Sequence, residues 1–344
     1  MKSFSFSISA IMLASTAFAQ TPKISDTQSR LDATDRSVPS PIDNSKVGSS
    51  SGSDVSSSDT GAQRPLSLSE SGISGSFGYD SKLAYKENPL GAPGELDQQA
   101  DLVWENSFYG TAKLGVYELD SSVMTPYIGA KWSMTDFTYK NSSDVIQDLS
   151  TLNFNSTSAY LLFLFQHENG WSFRAGLMYA NDRSAENDTE DYSEFYPNFG
   201  ATKAHSLAEN ALGIFDASFG SHYGVVDDAD GAAGSDHTDD ELDHFDATLS
   251  YSVLYSFNSF TIKPGYSFSY RKYDNGFNIG RKDLFHNLSI HLDYPVADSL
   301  SFSLFSDYTR RKSSGTDSAG DSFGTIYDFK KFDLGAGVGI VARF

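Results

Sequence analysis

KFDLGAGVGIVARF, residues 331–344, is the stretch on which the fold turns. Every second residue, Phe332, Leu334, Ala336, Val338, Ile340, Ala342 and Phe344, is apolar. The intervening set, Lys331, Asp333, Gly335, Gly337, Gly339, Val341 and Arg343, is charged or small apart from Val341. Successive side chains of a strand point to opposite faces. One face of this segment therefore suits an apolar medium and the other suits water or close packing. Its length fits a tilted strand crossing a bilayer, which needs roughly 9–11 residues.

Working upstream, the same period of two recurs back to about Gly72. Ile73, Phe77, Tyr79, Leu83 and Tyr85 share one face of a first strand, and Trp104, Phe108, Ala112 and Leu114 one face of a second. Pro126, Ile128, Ala130 and Trp132 mark a third. A fourth, about 157–166, is apolar without alternating. Trp171 to Tyr179, Ala211 to Tyr223, Phe245 to Phe257, Phe260 to Tyr270, Leu284 to Tyr294 and Leu300 to Tyr308 each alternate again. The connections at His167–Gly170, Asn258–Ser259 and Pro295–Asp298 are short, whereas those near 87–101, 140–155, 225–243, 274–282 and 312–326 are long and polar. Eleven strands read clearly, but a single-chain barrel with both ends on one side needs an even number. Strand directions conflict between Trp171 and Phe215, so a further strand is expected between about Asp191 and Glu209. The expectation is twelve strands, with ten or fourteen as alternatives.

Three segments follow. Residues 1–19 read as a secretory signal peptide: Lys2, a largely apolar Phe4–Leu13, and Ala17-Phe18-Ala19 at an A-x-A cleavage position. Residues 20–71 are rich in Ser, Asp, Thr, Gly and Pro with almost no aromatics. Such a segment buries too little apolar surface to offset the entropy of ordering it, and reads as a disordered periplasmic tail. Residues 72–344 carry the strands. After the signal the longest apolar run is Ala159–Phe165, far short of the ~20 residues of a spanning helix. Any membrane crossing is by strands.

The chain has no cysteine, which excludes disulfides, thiolate metal sites and cysteine nucleophiles. Its formal net charge of −20 argues against nucleic acid as a partner, since phosphates would be repelled. Asp182, Glu186, Asp188, Glu190, Asp191 and Glu194 crowd one segment and Asp227 to Asp243 another, and both are expected to be loops.

A soluble β-sandwich also alternates, but its solvent face is polar. Here the apolar faces carry aromatics near strand ends, including Trp104, Trp171, Tyr179, Tyr255, Tyr294 and Phe344, as in the girdles of membrane barrels. With the closing strand ending in Phe344, residues 72–344 resemble the Gram-negative outer-membrane β-barrel class, porin-like but matching no particular family. The resemblance implies an all-β, antiparallel, transmembrane up-and-down barrel, exported through the inner membrane and integral to the outer one. It further implies periplasmic chaperones and the barrel-assembly machinery as partners, with Phe344 as the assembly signal. Outer-membrane lipid and lipopolysaccharide would surround the barrel. No cofactor is implied, and the oligomeric state is left open.

On this alternation the inward face includes Lys82, Lys113, Lys131, Arg174, Lys263, Arg271, Asp293, Asp307, Lys331, Asp333 and Arg343. These are the candidate pore-lining residues. A polar pore whose fixed charges bias permeation and a lumen filled by charge pairs and water are equally open at twelve strands. Gly335, Gly337 and Gly339 superficially match a dinucleotide fingerprint, but no room remains for its helix and acidic residue. In a barrel they would face the lumen and leave space there, or let a neighbouring ring pack over the backbone. Asp228, Asp230 and Asp236 have roughly calcium-loop spacing without the terminal glutamate, and read better as a solvated loop. A lipase or protease is the less favoured rival. His291 shares a face with Ser289 and Asp293, each about 7 Å away along the strand, too far for direct contact without a cross-strand partner. The chain is therefore read as no enzyme but as a narrow passive pore for small hydrophilic solutes or a structural outer-membrane protein. A surface adhesin acting through the acidic loops is the alternative.

Overall fold

The computed structural model describes residues 73–89, 100–138, 153–186, 188, 190–225, 242–317 and 320–344. The expected signal peptide, the tail, and Asp228, Asp230 and Asp236 lie outside them.

One antiparallel sheet contains all the described strands. In chain order they are β1 Ser74–Glu87, β2 Asp101–Lys113, β3 Tyr117–Leu119 and β4 Ser122–Phe137. Then come β5 Phe154–His167, β6 Trp171–Ser184, β7 Glu190–Ala208, β8 Ala211–Gly224 and β9 His244–Ser256. The last are β10 Thr261–Tyr273, β11 Lys282–Ala297, β12 Leu300–Ser314 and β13 Phe329–Arg343. β3 is a three-residue stub that pairs only with β4, and β2 pairs directly with β4 across the same turn. Each remaining strand pairs with its sequence neighbours, and β1 pairs with β13. The barrel is closed by twelve full strands, as the direction argument requires, and the hidden strand is β7.

Closure ends on the chain terminus. The amide of Gly75 donates to the Phe344 carbonyl at 2.9 Å, and the Phe344 amide donates to the Gly75 carbonyl at 3.0 Å. The Phe344 ring stacks on Phe77 with centroids 5.4 Å apart. The ladders skip Lys263–Pro264 toward β9 and Tyr196–Pro197 toward β8, because proline has no N–H to give.

The outside of the barrel is apolar. Phe77, Leu83, Phe108, Ile128, Leu177, Phe199, Phe219, Leu249, Leu288, Ile290, Leu334 and Ile340 all stand exposed around the wall. An aqueous protein would not leave such a continuous apolar belt in water, whereas a closed sheet satisfies every backbone group inside a bilayer. Rings gather at the end where β1 begins, β13 ends and the short turns lie: Phe77 on Phe344, Trp171 edge-on to Phe215, and Phe257 on Phe260. Long connections mark the opposite, outer end.

The acidic segment at 182–194 is a loop only at Glu186 and Asp188, between β6 and β7, and otherwise belongs to strands, contrary to the sequence-based expectation. Asp182 closes the inner face of β6, and Glu190 and Glu194 lie in β7. Arg183 bridges the short connection, 3.4 Å from Asp188 and 3.6 Å from Glu190. The connection from β12 to β13 also differs from a plain polar loop, since it contains a short helix, α1 Phe323–Tyr327. No helix among the described residues is long and apolar enough to cross a membrane.

Candidate functional site

Strand parity defines the inner wall. The candidate residues Lys82 on β1, Lys113 on β2, Lys131 on β4 and Arg174 on β6 all fall on it. So do Lys263 and Arg271 on β10, Asp293 on β11, Asp307 on β12, and Lys331, Asp333 and Arg343 on β13. Several are tied to the wall. Arg174 forks onto Asp216 of β8, donating at 2.6 and 2.9 Å, and also donates to the Thr202 hydroxyl at 3.1 Å. Lys131 donates to Glu105 at 3.4 Å, and His291 lies 3.5 Å from Asp307.

Bulky inner side chains lie flat. Tyr109, Tyr160 and Phe305 each sit directly opposite a glycine on the next strand, Gly78, Gly129 and Gly335 respectively, and their rings occupy the space a Cβ would take. Arg174 lies over Gly200 in the same way. Gly335 thus has the ring-floor role expected of it. Gly337 and Gly339 instead receive the Ser303 and Ser301 hydroxyls, with Lys82 and Asp80 alongside.

The wall has two characters. From β8 to β13 its middle carries Ser218, Ser250, Ser267, Ser289 and Ser303, all half-buried. From β4 to β7, Leu162, Met178 and Tyr196 form a buried inward cluster with Tyr127 and Tyr160 against it. This cluster explains the missing alternation of the fourth strand: Leu162 and Leu164 point inward while Leu161 points to lipid. The Tyr160 hydroxyl is 2.7 Å from that of Thr111, which satisfies its polar end.

Toward the outer end a series of planar groups stacks on the inner wall. The Tyr196 ring lies 3.9 Å from His222, His222 lies 4.2 Å from His244, and His244 lies 5.0 Å from Tyr273. The Arg281 guanidinium then sits 4.5 Å over Tyr273 and 3.5 Å over Tyr327 of α1. Carboxylates and amides hold the series. His222 Nδ1 is 2.8 Å from Glu194, and its Nε2 is 3.6 Å from Asp246, which also accepts from the Tyr196 hydroxyl at 3.2 Å. Arg281 forks onto Asp283 at 2.9 and 2.5 Å and donates to Asn278 at 3.0 Å. Burial alone would lower the Arg281 pKa, but the Tyr273 phenol and the Asp283 carboxylate outweigh it and raise it. Tyr273, Arg281, Asp283 and Phe323 have 0% exposure, so Arg281 of the connection after β10 and Phe323 of α1 pack against the strand ends rather than stand away from them. Arg311 fastens them, donating to the Tyr327 carbonyl at 2.6 Å.

Sequence reading missed this constellation. Glu194 falls in the segment read as a loop, and Arg281 and Tyr327 fall in connections without periodicity. For the enzymatic reading, His291 meets Asp307 and stacks on Phe305, and no serine hydroxyl is hydrogen-bonded to it or to His222 among the described residues. No group of three or more His, Asp or Glu side chains suited to a metal ion occurs among the described residues.

A closed, even-stranded antiparallel barrel, apolar outside and polar within, with long connections at one end, defines the outer-membrane β-barrel class. No protein-family model matches the chain, and no curated protein is similar enough to match. Solved structures of similar fold include an outer membrane channel from Pseudomonas putida F1, at 9% identity and TM-score 0.46, covering 82% of this chain and 100% of the other. The beta domain of the Bordetella autotransporter BrkA has 7% identity and TM-score 0.43, over 77% and 98%. The NanC porin has 9% identity and TM-score 0.39, over 76% and 98%. At these identities nothing about solute or role passes from them to this chain.

Proposed function

We propose that this barrel is a narrow passive pore for small hydrophilic solutes. The observation that carries the reading is the way its inner wall is packed. Tyr109, Tyr160, Arg174 and Phe305 lie along the wall over glycines instead of meeting at the axis, and the facing strands offer serine hydroxyls. Eight-stranded barrels are just wide enough for side chains to fill, and twelve strands enclose a wider interior. Lys82, Lys113, Lys131, Lys263, Arg271, Asp293, Asp307, Lys331, Asp333 and Arg343 are the proposed pore lining, and the stack from Tyr196 to Tyr327 is the proposed constriction. Because both signs line the wall and pairs such as Arg174–Asp216 neutralise each other, the pore should select weakly between cations and anions.

Planar-bilayer recording of the purified full chain tests this. Small discrete steps with a reversal potential near zero in a salt gradient are expected. A membrane that stays silent while the barrel is folded would overturn the pore. It would favour a structural role, for which the fully buried Arg281 and Phe323 at the mouth already speak.

A further inference from the structure

The lipid-facing wall is not uniform in charge at its outer end. Outward positions there on β10 to β13 are Lys272, Lys282, His286, Arg310, Lys312 and Lys330, all exposed. The register sets them side by side: Lys272 opposite Lys282, His286 opposite Arg310, and Arg310 opposite Lys330, with Lys312 two residues above Arg310. Like charges directly across a ladder destabilise the pair, and here they occur in a chain of net charge −20. Asp274 pairs with Lys272 at 2.6 Å, and the Tyr266 hydroxyl lies 2.8 Å from His286. Among the described residues no carboxylate is within ion-pair distance of Lys282, Arg310, Lys312 or Lys330. Elsewhere the outer rim carries Glu87 on β1, Asp136 on β4, and Arg183 already neutralised by Asp188 and Glu190. Glu87, opposite Phe332, marks the edge of the basic field.

Directly below these cations, toward the bilayer centre, stand exposed Leu284, Leu288, Tyr308 and Leu334. The basic field therefore sits where headgroups meet hydrocarbon. Four strands span three spacings of about 4.8 Å, or about 14 Å, more than one anionic group can cover. We propose that the outer ends of β10–β13 bind a phosphorylated membrane lipid of the outer leaflet carrying more than one anionic group, its phosphates on Lys282, Arg310, Lys312 and Lys330 and its acyl chains on the apolar residues beneath.

Native mass spectrometry of the full chain in a neutral maltoside detergent tests this, using bisphosphorylated lipid A, the same lipid stripped of phosphate, and inorganic phosphate as probes. The K282Q/R310Q/K312Q/K330Q variant should bind bisphosphorylated lipid A about a thousandfold more weakly, given about 1 kcal/mol for each of four cations near an anionic headgroup. The swap K282R/R310K/K312R/K330R should bind it as the unaltered chain does. Stripped lipid should bind no better to the unaltered chain than to the glutamine variant. Equal binding of stripped and phosphorylated lipid, or unchanged binding by the glutamine variant, overturns the proposal. Displacement of the lipid by millimolar inorganic phosphate would overturn the lipid in favour of a simple anion site. Should the glutamine variant not fold, salt decides: binding that does not weaken as ionic strength rises defeats the proposal.

Discussion

Phe344 does at the scale of one residue what the closed sheet needs. Its amide and carbonyl complete the last hydrogen-bonded pair with Gly75, and its ring covers Phe77 and the Gly75 backbone. Each hydrogen bond is worth about 1 kcal/mol net, and the ring pair adds a similar amount. Deleting Phe344 should cut the yield of heat-modifiable barrel in the outer membrane several-fold, whereas Phe344→Tyr keeps it near normal; unchanged yield on deletion would show that neither the seam nor the proposed assembly signal depends on this residue. Arg174 is the second decisive residue. Its fork onto Asp216, at 8% and 18% exposure, ties β6 to β8 across Gly200 and Thr202 of β7. Arg174→Ala strands a half-buried carboxylate, and the cost should be about 2 kcal/mol, below the 3–5 of a dry site because the lumen is polar. Lysine cannot fork onto both oxygens, so Arg174→Lys should fall between. The temperature at which the folded band converts on a denaturing gel reads both, and identical temperatures for all three chains would contradict the argument.

At the scale of elements, periodicity betrays a strand only when its outward face is plainly apolar. The terminal segment is legible because Phe332 to Phe344 alternate without interruption. β7 is not, because its outward face reads Ser193, Phe195, Pro197, Phe199, Ala201 and Lys203, and its inward face mixes Tyr192 and Tyr196 with Glu194. It could be inferred only from the parity of strand directions. β5 hides for the opposite reason, being apolar on both faces where Leu162 joins the inward cluster. The pore-wall charges follow from alternation alone. The mouth does not, because His222, His244, Arg281 and Tyr327 come together only through the barrel's curvature and two connections with no pattern of their own. Those connections carry a prediction. α1 holds the stack through Tyr327, and Phe323 donates its amide to the Gly315 carbonyl at 3.1 Å. Replacing Phe323–Tyr327 by a Gly-Ser segment of equal length removes one wall of the constriction while leaving all twelve strands paired. Single-channel conductance should rise at least about twofold if permeation is limited there. A conductance equal to that of the unaltered chain would move the limiting point deeper into the lumen, to the cluster around Tyr160 and Met178.

For the whole molecule, the ordering of solvents decides the fold. Hydrocarbon lies outside and water inside, the reverse of a soluble barrel, and each strand carries both solvents on alternate residues. That inversion explains how a chain with mean hydropathy of −0.36 and net charge −20 can reside in a bilayer: only one residue in two within the strands meets lipid, and most of the acidic excess lies in the wall's inner face and the connections. Adjacent residues at the same depth should therefore respond oppositely to the same charge. Leu288 stands 55% exposed on the outer face of β11, and Ser289 follows it on the inner face opposite Gly265 and Asp307. Leu288→Arg places a cation in hydrocarbon near the middle of its strand and should cost about 2–4 kcal/mol, seen as a loss of folded barrel in the outer membrane. Ser289→Arg places the same group in the lumen beside Asp307 and should leave folding intact while shifting the reversal potential toward anion preference. In a soluble barrel with the opposite interior the outcomes would exchange, with the charge tolerated at 288 and ruinous at 289. Measuring membrane yield for the two variants side by side therefore tests which side of the wall faces lipid, without depending on whether the pore conducts.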